Sequence, residues 1–344
     1  MATTIFWFLF NISICIKEYI NGNNYEDSND SIALKAENSE VEPVANKLLK
    51  TMSYYLLKDT CDKEITLYIL NTIVSILPMI GIDYLYNTIL TKEFLNKIFI
   101  ISNVVIIEVH YISLEIINEL MSSEKKLVIL LNNGLKKNFV KWLNNAEDDL
   151  ELWKKYLSIL TNISMLDDKL TVQFLKDKTV FFILYQKLEK STASLITYEI
   201  VNTLYCIIFD NDLAYYFDFE RVIRIICNKL LLENNANNIN LYLWFIKKYL
   251  RTYLETYNES KQTNEYSGSL LNGSDIINNG YGVGINGCND SDMKDKNLAL
   301  FIRIKETIED ISMKLVGDKL LLLNNEILDL IGFCYPNMDL DMEY

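Results

Sequence analysis

Residues Leu114–Leu143 read LEIINELMSSEKKLVILLNNGLKKNFVKWL. Apolar residues recur here every three or four positions, the spacing of one helix face. The stretch breaks twice: at a short polar link, Ser122-Ser123, and at Gly134. Glycine adopts the left-handed backbone that ends one helix and begins another. A long apolar helix, a short helix and a medium helix closing on Leu143 are therefore expected in that order.

The same order recurs on both sides. Residues of Leu or Phe type that close the medium helices fall at Phe99, Leu143, Leu188 and Leu230, which are 44, 45 and 42 residues apart. Within the long helices, Ile116-Ile117-Asn118, Leu160-Thr161-Asn162 and Leu204-Tyr205-Cys206 follow one another at intervals of 44. A two- or three-helix unit of roughly 42–45 residues lies in the range of armadillo and HEAT repeats. One unit cannot bury its own apolar faces, so neighbouring units stack around a shared core. The expected fold is an all-α, armadillo/HEAT-type right-handed superhelical solenoid over 1–335, with about seven units. Flexible insertions at 21–42 and 259–296 and an acidic tail at 336–344 complete the expected organisation.

Composition supports helices and narrows function. Only 11 glycines and 3 prolines occur in 344 residues, too few for a chain of tight-turned sheets. The formal charge of −13, from 46 acids and 33 bases, argues against a general nucleic-acid binder and favours basic partners. Six cysteines, with no CxxC pair, and a single histidine, His110, hold no metal-ligand spacing. They read as free thiols of a reducing compartment, those in apolar helical runs packing as small hydrophobes. His110 lies in an apolar helix with no nucleophile beside it and is expected to be a hydrogen-bonded core residue. The glycines of Gly280–Gly284 lack the strand and helix that frame a phosphate loop. No enzyme activity and no cofactor are expected. The run from Ile5 to Ile16 is shorter than the roughly 20 residues that span a bilayer and is expected to be a buried helix. No membrane insertion is expected.

The segment Phe6–Ser13, FWFLFNIS, sets Trp7 and Asn11 one helical turn apart, so both side chains leave one face. This resembles the third armadillo helix of the importin-α (karyopherin-α) nuclear import adaptors. In that family such an Asn clamps the backbone of a basic import-signal peptide, and the Trp rings form slots for Lys and Arg stems. The resemblance implies that Trp7 and Asn11 face a peptide groove, and that Asn118 and Asn162 take the Asn position of later third helices. Leu241–Leu254 and Leu300–Cys334 resemble the family's last two repeats. What the resemblance implies is a cytoplasmic and nuclear adaptor for proteins carrying basic import signals, with transport receptors as further partners.

The chain departs from that pattern at several positions. Leu114 and Ser158 stand where the family places Trp, and the next unit offers Asn202 and Cys206. No basic segment of the kind that binds importin-β precedes Trp7. The alternative is a generic armadillo/HEAT scaffold for protein complex assembly, without import-signal binding, in which Asn side chains bond between repeats. The acids Glu147, Asp148, Asp149 and Glu151 precede a long helix, where carboxylates complement the positive end of the helix dipole. Trp142, Trp153 and Trp244 are expected in the core.

Overall fold

The structure is a computed structural model. It describes residues 2–23, 31–58, 62–80, 82–103, 106–210, 217–267, 290–312 and 318–334, and among these every regular element is a helix. They form two compact units, Met1–Thr171 and Val172–Tyr344.

The first unit contains α1 (Ala2–Asn23), α2 (Ser31–Leu57), α3 (Lys63–Ile76), a 3-10 turn at Leu77–Met79, α4 (Ile82–Thr88), α5 (Lys92–Ile101), α6 (Ile107–Leu120), α7 (Glu124–Asn132), α8 (Leu135–Asn144) and α9 (Leu150–Leu166). Helix α10 (Asp168–Leu175) spans the division. The second unit continues with α11 (Thr179–Lys190), α12 (Ser194–Asp210), α13 (Phe219–Leu232), α14 (Ala236–Ser267), α15 (Asp290–Ser312) and α16 (Asp318–Cys334).

Side-chain caps begin several of these helices. Asp62 Oδ1 accepts from the Ile65 amide (2.9 Å), Asp149 Oδ1 from Leu152 (2.9 Å) and Asp218 Oδ1 from Arg221 (3.1 Å). Each bond satisfies an amide that the helix itself leaves open. Asp149 belongs to the acidic run read from the sequence, and the structure gives it that capping role.

The repeat is visible as layers. In the first unit α1, α3, α6 and α9 lie side by side in that order, the third helices of successive repeats, with α2 and α5 packed against α3 and α6. In the second unit α12, α14 and α16 form such a layer, and α11, α13 and α15 form the layer behind it. The anchors Phe99, Leu143, Leu188 and Leu230 close α5, α8, α11 and α13 and are all buried. Burying a side chain of that size contributes about 1.5–3 kcal/mol. The turn that links the two shorter helices of a repeat uses left-handed backbone twice. Gly134, between α7 and α8, has φ 99°, as its sequence position suggests. Lys178, 44 residues on, fills the same place between α10 and α11 with φ 61° and has no glycine to ease it.

Three expectations change. Of the insertion expected at 21–42, residues 21–23 end α1 and 31–42 open α2, while 24–30 lie outside the described residues. Ala33, Leu34, Lys35, Ala36 and Glu37 are good helix formers, and local propensity prevails over the polar composition. Likewise α14 extends to Ser267 and α15 begins at Asp290, which leaves 268–289 of the second insertion outside the described residues, with the tail 336–344. The run Ile5–Ile16 is a helix but not a buried one: Ile5, Trp7, Phe8 and Cys15 are exposed. It packs on α2 and α3 on one side, and no described helix covers the other.

Among the described residues no helix is long and apolar enough to cross a membrane, and no cluster of His, Cys, Asp or Glu could hold a metal ion. Of the cysteines, Cys227 is buried, and burial pushes its thiol up to about 11.

Candidate functional site

In the first unit the third helices share one open side, and its geometry is set by helix periodicity. On α6 the buried side is Val109, His110, Ser113, Ile116, Ile117 and Leu120. The opposite side carries Glu108, Tyr111, Glu115, Asn118 and Glu119, with no Lys or Arg anywhere on the helix. On α9 the matching side carries Glu151, Lys154, Lys155, Ser158 and Asn162.

Cross-helix bonds order this surface. Asn118 Nδ2 donates to Ser158 Oγ at 2.9 Å, and Asn162 Nδ2 donates to Asn118 Oδ1 at 2.9 Å. The two asparagines that the 44-residue spacing pairs are therefore joined directly, with Ser158 bonded to Asn118 on the same side. Glu115 bridges to Lys155 across the same seam (3.3 Å), and Glu108 bridges to Lys63 of α3 (3.4 Å). Glu119 is exposed and makes no ion pair among the described residues. Tyr111 donates its hydroxyl to Asp149 Oδ1 at 2.7 Å. That bond, with the Leu152 amide, holds the Asp149 carboxyl below its ordinary range and ties the acidic loop to α6.

Beneath the surface, His110 pins the seam. A carbonyl can only accept, so His110 Nδ1–H donates to the Ser102 carbonyl, and neutral Nε2 accepts from the Tyr156 hydroxyl at 2.7 Å. Its ring meets Trp142 and Tyr156 edge-on at 6.0 and 5.8 Å. Burial lowers its pKa and favours this neutral form. The expected core histidine is found.

The remaining candidates stand apart from that pair. Trp7, on α1, is 51% exposed. Asn11 Nδ2 donates to the Trp7 carbonyl at 2.7 Å, a bond within its own helix. Both lie on the layer that contains Asn118 and Asn162, but with α3 between α1 and α6. Leu114, at the position where the resemblance calls for Trp, is buried and serves the core. Asn202 and Cys206 are partly exposed on α12 in the second unit.

Of the three tryptophans expected in the core, Trp142 and Trp153 are buried, but Trp244 is 42% exposed. It projects from the open side of α14, and the Lys247 ammonium sits 4.5 Å from its ring centroid. Lys247 is itself buried and forms an ion pair with Glu326 of α16. An apolar helical pattern identifies a helix that is mostly core; it does not say which of its large residues sits at the boundary.

Sequence reasoning singled out the capping acids before α9 and passed over Glu108, Glu115 and Glu119. Their spacing of seven and then four places them on one helical face, and that signal was available in the sequence.

Side-by-side third helices backed by a second helical layer, repeating every 42–45 residues, define an armadillo-type repeat fold. Among solved structures, the chain is similar to the designed armadillo repeat protein YIII(Dq.V1)4CPAF in complex with the peptide (KR)4. The TM-score is 0.50 and the identity 15%, over 82% of this chain and 99% of that one. A computationally designed armadillo repeat protein for modular peptide recognition also matches, with a TM-score of 0.46, 15% identity and the same coverages, 82% and 99%. No protein-family model matches the chain, and no curated protein matches its sequence.

Proposed function

We propose that this protein is a peptide-binding scaffold whose open α6–α9 side holds an extended, basic segment of a partner protein. The observation that carries this reading is the row Glu108, Glu115, Glu119 on a helix without a single cation, beside the line Asn118–Ser158–Asn162. Carboxylates spaced along a helix attract Lys and Arg side chains. Side-chain amides offer a donor and an acceptor to a peptide backbone that pairs with nothing else. Glu119 meets an incoming cation first, because Glu108 and Glu115 already have lysine partners. The importin-α-like form of this proposal makes the partner a nuclear import signal, with Trp7 and Asn11 engaging the same peptide further along the layer. It places the protein in the cytoplasm and nucleus, with no catalytic role. Support for that form comes from the exposure of Trp7 and from the resemblance of FWFLFNIS to a third armadillo helix.

A second reading has its own observation. Asn118 and Asn162 already bond to each other, and Leu114 is buried, so this seam serves the stacking of repeats. A scaffold that holds folded partners by other surfaces would keep those features and ignore a basic peptide.

A fluorescence-anisotropy titration with a labelled Lys/Arg octapeptide, against an acidic octapeptide, separates the two. The proposal expects selective binding of the basic peptide, weakened by salt as exposed charge pairs are. It expects Glu119→Lys to weaken binding by about tenfold or more, since it replaces an attraction by a repulsion at one exposed site. Equal affinity for both peptides, or indifference to Glu119→Lys, supports the second reading.

A further inference from the structure

The flank of α1 that faces away from α3 is an uncovered apolar stripe. Phe10 reaches Tyr68 of α3, with ring centroids 6.1 Å apart. At 100° per residue, Phe8 lies on the far side of the helix from Phe10. With Phe8 stand Ile5, Ile12 and Cys15, at spacings of three, four and three, which places the four in one row. Ile5 is 54% and Phe8 57% exposed, and Cys15 is exposed as well. Between Phe8, Ile12 and Cys15 of this row, with Asn11 and Ile16 beside them, and Val41 of α2 runs an open, largely apolar groove of about 360 Å³. In the rest of the layer the corresponding flank is occupied: α1 covers α3, α3 covers α6 and α6 covers α9.

We propose that this flank is a self-association surface, where α1 of a second copy lies antiparallel in the groove about a two-fold axis. Two properties of the row select that occupant. The first is symmetry. A two-fold interface requires that if residue i meets residue j, j also meets i. The 3-4-3 spacing reads the same in both directions, so an antiparallel copy centred on Phe10 sets Ile5 against Cys15 and Phe8 against Ile12, twice over. The second is charge. Each copy carries −13, yet residues 2–16 hold no charged side chain, so two copies meet here without opposing like charges. A basic partner is drawn instead to the acidic side of α6. The row and Val41 make a small contact, below the roughly 800 Å² per partner of a tight complex, so a micromolar dimer is expected.

Sedimentation equilibrium of the purified chain from about 1 to 100 μM tests this across the expected micromolar range. The weight-average mass should rise from 40.1 kDa toward twice that value. Phe8→Asp should shift the dissociation constant upward by at least tenfold, with helical circular dichroism unchanged because Phe8 is largely outside the core. Register is tested by Ile5→Cys with a bifunctional thiol linker shorter than the ~15 Å that separates residues 5 and 15 along one helix. Mass spectrometry should find position 5 of one copy joined to Cys15 of the other. A constant 40.1 kDa up to the highest concentration overturns the proposal, as it would if a different protein or a further repeat belongs in the groove. So does a dimer indifferent to Phe8→Asp, or a linkage between the two positions 5, which would mean parallel pairing.

Discussion

Lys178 is where the repeat asks for a residue the sequence does not supply. It occupies the position of Gly134 one period later and takes the left-handed backbone at φ 61°, ψ −1°. A residue with a Cβ is disfavoured there by about 1–2 kcal/mol, whereas glycine is not. Glycine also loosens the unfolded chain, which costs about 0.4–1 kcal/mol. The Lys178 side chain is exposed, and its backbone bonds, Lys178 N–H to the Leu175 carbonyl and Phe182 N–H to its own carbonyl, are at 2.9 Å and would survive substitution. The difference leaves Lys178→Gly stabilising by about 0.5–1 kcal/mol. Gly134→Ala should destabilise by a similar amount. A Cβ there would meet only Asn138 Nδ2 at 3.7 Å, so backbone conformation and not a clash sets the cost. Urea unfolding followed by circular dichroism at matched protein concentration measures both. With a urea slope of about 2 kcal/mol/M, the Lys178→Gly midpoint should rise by about 0.25–0.5 M. A midpoint that stays or falls for Lys178→Gly would refute the equivalence of the two turns and the strain argument built on it.

Two other outcomes follow from buried groups. His110 has a lowered pKa, so its stability contribution is fully present above the unfolded value near 6.5 and is lost as pH falls below it toward the depressed folded value. Stability should decline by up to about 1.4 kcal/mol per pH unit below 6.5, and His110→Gln should flatten the profile between pH 6.5 and 5.5; equal slopes would argue against a neutral buried imidazole. At a protein concentration well below the micromolar range, where the chain is monomeric, a thiol reagent at pH 8 should modify exposed Cys15 at once and leave Cys227 unmodified until the chain unfolds, which peptide mapping would read directly.

The repeat was legible because it is written in the core. Phe99, Leu143, Leu188 and Leu230 must be apolar to close their helices, so a near-constant interval between them survives in the sequence. Gly134 was legible for a backbone reason, and its partner Lys178 was not, because a left-handed lysine looks like any exposed lysine. The start of α2 at Ser31 was hidden by polar composition, which says that a segment has little to bury and not that it lacks a helix. At the candidate site, the interval of 44 between Asn118 and Asn162 pointed to one face of neighbouring helices, and their mutual bond follows from that placement. The exposure of Trp244 and of the Ile5–Phe8–Cys15 flank was not legible, because an apolar residue reads alike whether a neighbouring repeat covers it or nothing does. The carboxylates of α6 were missed because they are scattered in sequence and gather only on the helix.

The proposed binding of a basic peptide along the open α6–α9 side can be mapped on the chain itself. It is tested most directly by a Lys/Arg octapeptide carrying a photoreactive group at its centre, irradiated with the full chain and mapped by mass spectrometry. Linkage is expected to residues between Tyr111 and Glu119 on α6 and between Glu151 and Asn162 on α9, abolished by competing unlabelled peptide. Linkage concentrated on other helices, or none that unlabelled peptide can displace, would contradict it.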